Sequence, residues 1–335
     1  MPSLQIVVAS TGFAGVRDRV LEAFPDAKLS MKDEAALRRD GAVADVLVPA
    51  MSRVDGALMD RVRGLRLIQQ WGVGLEGVDV AAATARGVPV ARAASAGSGN
   101  AESVAEWCVM AAIALSRRLA EAEREIRRGG AWGAPMGQAL LGRNAGVVGM
   151  GGLGEALATR LRPFGLRMAG IARRAHPELA ERLGMDWIGP LDRLPDLLRA
   201  SDYLFLCLPL TEETRGLIDA AALALLPEGA CLINVGRGGV VDHAALLAAL
   251  DSGRLLGAGL DVFDQEPLDP KSPLLTRPNV LATPHVAGVT DASYRGIAAR
   301  VTANIRRLVN GEPLEDCVNW DAIRAGAEAD QARRR

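Results

Sequence analysis

"VVGMGGLGEALA", residues 147–158, decides how the rest of the chain is read. Gly149, Gly151 and Gly154 stand in the spacing G-x-G-x-x-G, after an apolar run and at the opening of a helical pattern. Alone, that spacing is weak evidence. Between a strand and a helix it is the turn that holds a dinucleotide pyrophosphate. The first glycine allows the tight turn, the second lets backbone approach the phosphates, and the third lets helix and strand pack closely. Gly152 and Leu153 lie where the turn meets the helix and are cofactor-binding candidates, because the unpaired N–H groups of a helix start favour an anion.

Outward from this turn, strand and helix patterns alternate. Upstream, "LQIVVAS", "ADVLVPA", "LRLIQQWG" and "VPVARA" read as strands and "GVRDRVLEAF" as an amphipathic helix. Downstream, strands are expected at 145–149, 167–172, 203–208, 230–235 and 256–260, with helices at 153–163 and 242–251. The fold class is therefore α/β, with two series of parallel strands covered by helices and hence two domains. One helix over roughly 101–128 separates them. Its first half is apolar nearly all round and is expected to be buried, and its second half is charged. The last fifteen residues, "DAIRAGAEADQARRR", read as a frayed tail.

The composition of the 335 residues, 49% hydrophobic and 24% charged with a net charge of -1, is that of an ordinary soluble protein. It gives no reason to expect nucleic acid or an anionic membrane as partner. No apolar run is long enough to span a bilayer and the N-terminus lacks a basic leader, so a cytoplasmic protein is expected. Cys108, Cys207, Cys231 and Cys317 are far apart, which suits reduced and mostly buried thiols. No His, Cys and acid cluster shows ligand spacing, so no metal is expected.

The strand after the glycine turn runs into Arg173 and Arg174 in "GIARRAHPE". Arg173 falls 19 residues after Gly154, where an acid that binds the ribose hydroxyls of NAD would stand. A guanidinium there pairs with a 2′-phosphate instead, which favours NADP(H) over NAD(H). The chain has three histidines, His176, His243 and His285. By pattern His176 is a surface loop residue and His243 is exposed at the start of a helix. His285 lies in "LATPHVAGVT", beyond a strand-like segment and held by Pro284. Arg237 in "CLINVGRGGVVD" and Asp261 in "GAGLDVFDQEPL" also end apolar strands, and Glu266 follows before Pro267. Ligands of open α/β sheets bind beyond such strand ends.

Taken together these segments resemble the D-isomer-specific 2-hydroxyacid dehydrogenases, of the glyoxylate and hydroxypyruvate reductase kind. "WGVGLEGVD", "NAESVAEWCVMAAIALSRR", "LLGRNAGVVGMGGLG", "LCLPLTEETRGLI", "INVGRGG", "GAGLDVFDQEPL" and "TPHVAG" occur in that family's order and cover nearly the whole chain. The resemblance implies two Rossmann-like domains. Residues 1–99 and 286–320 would form a flavodoxin-like substrate domain, 100–285 an inserted doubly wound dinucleotide-binding domain, and 321–335 a tail. It implies NAD(P)H-dependent reduction of a small 2-oxo acid to a D-2-hydroxy acid in a homodimer. Arg237 would bind the substrate carboxylate, His285 would act as general acid, and Glu266 would fix its tautomer. Val73 and Gly74 would offer backbone amides to the substrate, with Met51 over it. Pro209, Thr214, Val235, Gly236 and Asp261 would line the cofactor site, Asp261 facing the nicotinamide carboxamide. Asn100 and Glu102 would be hinge or cap residues.

Four features separate this chain from parts of the family it resembles. Arg173 replaces the usual acid. Glu76 stands where phosphite dehydrogenases carry lysine, and Glu266 where formate dehydrogenases carry glutamine. Pro49 and Met51 occupy the loop in which phosphoglycerate dehydrogenases place cationic chemistry, which favours an unphosphorylated substrate. The alternatives are an NAD-linked, phosphoglycerate dehydrogenase-like enzyme and, remotely, a nucleotide-sensing co-repressor.

Overall fold

A computed structural model describes residues 3–10, 14–50 and 52–333. Backbone packing divides the chain into two units, Met1–Asn100 with Asp291–Arg335, and Ala101–Thr290. In the first unit, β1 (Gln5–Ala9), β2 (Lys28–Met31), β3 (Ala42–Val43), β4 (Val46–Pro49), β5 (Val62–Arg63), β6 (Leu67–Gln69) and β7 (Val90–Ala91) all pair in parallel. β3 and β5 make a ribbon of their own, and the other five form a sheet in the order β2-β1-β4-β6-β7. With the ribbon set aside, this is the flavodoxin-like order. Alternation along β1 sends Ile6 and Val8 to one face and Val7 and Ala9 to the other. The first face packs on Ile297, Val301 and Ile305 of the helix Asp291–Asn310, the second on Leu37, Val54 and Leu58.

The second unit holds β8 (Asn144–Val148), β9 (Arg167–Ile171), β10 (Trp187–Gly189), β11 (Tyr203–Leu206), β12 (Ala230–Asn234), β13 (Leu255–Leu260) and β14 (Val280–Ala282). All are parallel, in the order β10-β9-β8-β11-β12-β13-β14. The winding reverses between β8 and β11, the switch point where such sheets bind dinucleotides. Val147 and Val148 of β8 enter opposite cores, one with Leu157 and Leu161 of the following helix and one with Leu197 and Leu204. Strands buried on both faces read as continuous apolar runs, which is why the sequence exposed most of them.

The structure departs from three sequence expectations. The helix expected over 101–128 is two helices, Asn100–Ser116 and Leu119–Arg127, with Arg118 between them in the left-handed region at φ 50°. The Ser116 carbonyl accepts the Gln138 N–H at 2.8 Å instead of continuing the helical ladder, and its hydroxyl meets Tyr203 Oη at 2.8 Å. The first helix is not buried all round, since Met110 and Ile113 are exposed. The expected tail is a helix, Trp320–Arg333. Its start is tied down by buried Asn319, which accepts the Val90 N–H at 2.8 Å and donates to the Val88 carbonyl at 3.0 Å. Among the described residues no helix is long and apolar enough to cross a membrane.

Candidate functional site

The glycine turn joins β8 to the helix Gly152–Leu161. Gly149 has φ 102°, and a Cβ there would stand 2.7 Å from the Cys207 carbonyl oxygen of the neighbouring strand end. A Cβ on Gly154 would overlap the Gly149 carbonyl, so helix and strand close to backbone contact. A Cβ on Gly151 would meet nothing within 4 Å, and no side chain caps the helix that Gly151 precedes. The turn is thus pinched at Gly149 and Gly154 and open at Gly151, where the helix begins with no side-chain cap. That combination suits a diphosphate.

Arg173 and Arg174 follow β9 by two and three residues, are exposed, and make no ion pair with any described residue. His176 is half-buried and starts the helix Pro177–Leu183, its backbone N–H donating to the Ile188 carbonyl. Beyond β11, the Thr214 hydroxyl donates to the Pro209 carbonyl at 2.8 Å and accepts the Thr211 N–H at 2.7 Å, which shapes the turn after Pro209.

Beyond β12, Asn234 shapes the next turn. Its Nδ2 donates to the Arg237 carbonyl at 3.0 Å and its Oδ1 accepts the Gly236 N–H at 3.1 Å. The Val235–Gly236–Arg237 turn is therefore fixed at both ends by one buried amide, a residue that sequence reasoning passed over. Its only signal was a polar side chain closing the apolar run "CLIN". Arg237, half-buried, donates from Nη1 to the Gly236 carbonyl at 2.7 Å.

His285 has φ 56°, and its backbone N–H donates to the carbonyls of Asp261 and Thr283. Its Nδ1 lies 2.7 Å from Glu266 Oε2. The other Glu266 oxygen accepts the Phe263 N–H at 2.9 Å. Burial pushes the Glu266 carboxyl up, but bonds from His285 and Phe263, helped by the charges of His285 and Arg237, leave it below its ordinary value. Glu266 is thus a carboxylate at neutral pH, and its charge favours an Nδ1–H on the ring.

Asp261 is 2% exposed. Its Oδ1 accepts the Thr283 hydroxyl at 2.6 Å and the Val286 N–H at 2.8 Å, and its Oδ2 accepts the Ala287 N–H at 2.9 Å. Burial raises its carboxyl above the usual range, and those three bonds pull the other way. Sequence reasoning saw Asp261 as a cofactor contact. The structure makes it first the anchor of the loop that carries His285.

His243 is not exposed as its pattern suggested. Its side chain is 18% exposed, with Nδ1 3.4 Å from Asp264 Oδ2. In the other unit, Val73 is exposed and follows Gly72, whose φ is 124°. The ring of Trp71, just before, meets Tyr294 edge-on with centroids 5.6 Å apart. Asn100 Nδ2 donates to Ser293 Oγ at 3.0 Å. Glu102, in the unit Ala101–Thr290, buries an Oε2 that has no hydrogen-bond partner among the described residues. Met51 lies outside the described residues.

A family model for the NAD-binding domain of D-isomer specific 2-hydroxyacid dehydrogenases matches residues 109–287. The chain belongs to that family. It is an NAD(P)-dependent oxidoreductase of the CH–OH class. Glyoxylate/hydroxypyruvate reductase B of Citrobacter koseri is 38% identical over 285 residues, 83% of this chain and 85% of that protein. D-3-phosphoglycerate dehydrogenase of Archaeoglobus fulgidus is 31% identical over 300 residues, 89% of this chain but 55% of its own length. A crystal structure of the NADPH-dependent glyoxylate/hydroxypyruvate reductase of Sinorhizobium meliloti with NADP and malonate superposes with TM-score 0.79. That reductase is 31% identical, and the match covers 94% of this chain and 96% of that one.

Proposed function

We propose that this dehydrogenase reduces a small unphosphorylated 2-oxo acid, glyoxylate or hydroxypyruvate first, to the D-2-hydroxy acid with NADPH. The observation that carries the reading is the 2.7 Å pairing of His285 with Glu266, on a loop beside the strand end that presents Arg237. The nicotinamide supplies a hydride. This chain's residues supply the rest. Arg237 binds the substrate carboxylate and draws charge toward the 2-oxo oxygen. His285, with Nδ1 turned to Glu266, delivers the proton from Nε2 to that oxygen as negative charge develops there. Glu266, a carboxylate at neutral pH, keeps the ring oriented with Nδ1 toward it. Arg173, with Arg174 beside it, pairs with the 2′-phosphate of the cofactor. The uncapped helix start after Gly151 takes the diphosphate, and Pro209, Thr214, Val235 and Gly236 line the sugar and nicotinamide. The Val73–Gly74 backbone suits a carboxylate. We propose a cytoplasmic homodimer.

The phosphoglycerate dehydrogenase-like relative supports a second reading, an NAD-linked dehydrogenase. A panel of 2-oxo acids, phosphorylated and not, assayed with NADPH and NADH, separates the two. Turnover of glyoxylate or hydroxypyruvate with NADPH is expected. Turnover confined to a phosphorylated acid with NADH would overturn the first reading.

A further inference from the structure

The loop that carries Glu266 has a second tether. His243 opens the helix His243–Asp251, and its Nδ1 faces Asp264 Oδ2 at 3.4 Å. The imidazole is largely buried, and its Nε2 has no hydrogen-bond partner among the described residues. Burying a ring nitrogen unpaired is unfavourable, and the first position of a helix tolerates many side chains that would avoid it. The use of an imidazole here therefore lies in Nδ1.

What Nδ1 touches matters for the site. Gly238 packs so closely on the backbone of Phe263 and Asp264 that a Cβ would overlap them. The turn after β12 and the loop after β13 thus meet by backbone at Gly238 and by side chains at His243 and Asp264. The first carries Arg237. The second carries Glu266, whose Oε1 is held by Phe263, the residue next to Asp264. We propose that His243 is a positioning residue: its contact with Asp264 fixes the Glu266 loop against the Arg237 turn and so sets the orientation of His285. The charged groups around His285 are Glu266 in contact, Asp261 at the root of its loop and Arg237 next to Glu266. Substitution at His243 removes none of them.

The inference rests on the proposed reduction only where turnover is the readout. H243A and D264A should each lower kcat for the 2-oxo acid roughly three- to tenfold, with KM for NADPH unchanged, as expected for a displaced catalytic group. The double variant should be no worse than the weaker single one, because both remove the same contact. H243N places an amide nitrogen where Nδ1 lies and should recover most of the loss, whereas H243Q places it at Nε2 and should not. Independently of turnover, the Hε1 resonance of His285, one of three imidazoles, should follow a pH profile different from the parent's in H243A and in H243Q. A His285 titration that is the same in all of them overturns the proposal whatever kcat does, and so does equal recovery by Asn and Gln. A parent protein that reduces no 2-oxo acid would sink the proposed function. The NMR comparison would then decide the positioning role by itself.

Discussion

Glu266 Oε2 lies 2.7 Å from His285 Nδ1, while Glu266 Oε1 accepts the Phe263 N–H at 2.9 Å. The carboxylate is therefore fixed at one oxygen by the chain and free to orient the ring with the other. Two consequences can be measured. With His285 as the proposed general acid, reduction needs the charged ring, so its rate should fall as pH rises and oxidation should show the opposite limb. E266Q keeps the shape and removes the charge, so both limbs should move to lower pH while hydride transfer persists. Superimposable pH profiles for E266Q and parent would show that another group titrates.

The same residue contributes to stability with a definite sign. Its folded-state carboxyl sits below the ordinary value. The contribution is therefore present above the ordinary carboxyl range and is lost as pH falls through the depressed value. In urea titrations, E266Q should lose stability relative to the parent at neutral pH, and the gap should close in acid. A gap that is constant with pH would mean that charge is not the source.

Replacing His285 should cost about a hundredfold to ten-thousandfold in kcat, the scale of a lost general acid. H176A should cost little, since that residue only opens a helix at some remove from β13 and β14. A comparable loss in H176A would require a different proton donor.

At the carboxylate end, R237A should damage both KM for the 2-oxo acid and kcat. R237K should recover only part, because an ammonium lacks the two-pronged geometry of guanidinium. An unchanged KM in R237A would assign the substrate carboxylate to another cation.

For the cofactor, R173D should raise KM for NADPH far more than for NADH. A lost charge-assisted pair is worth roughly 1.5–3 kcal/mol, about tenfold to a hundredfold. Equal KM values for the two cofactors in the parent would refute the pairing.

Asp261 offers a test of architecture. D261A would leave the Thr283 hydroxyl and the Val286 and Ala287 N–H groups without their acceptor, at a cost of about 3 kcal/mol. Because those groups hold the His285 loop, kcat should fall along with stability in urea unfolding. A variant as stable as the parent would show that water replaces the carboxylate there.

The sequence alone carried the fold class, the glycine turn, the strand ends and the residues gathered at them. Its signals for these are local. A strand buried on both faces is a run of apolar residues, a turn against a phosphate is a spacing of glycines, and both are written in consecutive positions. Gly149, Gly154, Glu266 and His285 could be named on that basis. Tertiary structure decided what long-range pairing decides. Ser116 ends its helix because a backbone N–H 22 residues later takes its carbonyl. Asn319 starts another helix because the edge of β7 supplies its partners. That Asp261 also anchors a loop shows only once Thr283, Val286 and Ala287 bond to its two oxygens, and His243 reads as a solvated helix start until Asp264 reaches it. In each case the deciding atom belongs to a segment far along the chain, and no period of 2 or 3.6 residues records where that segment will lie.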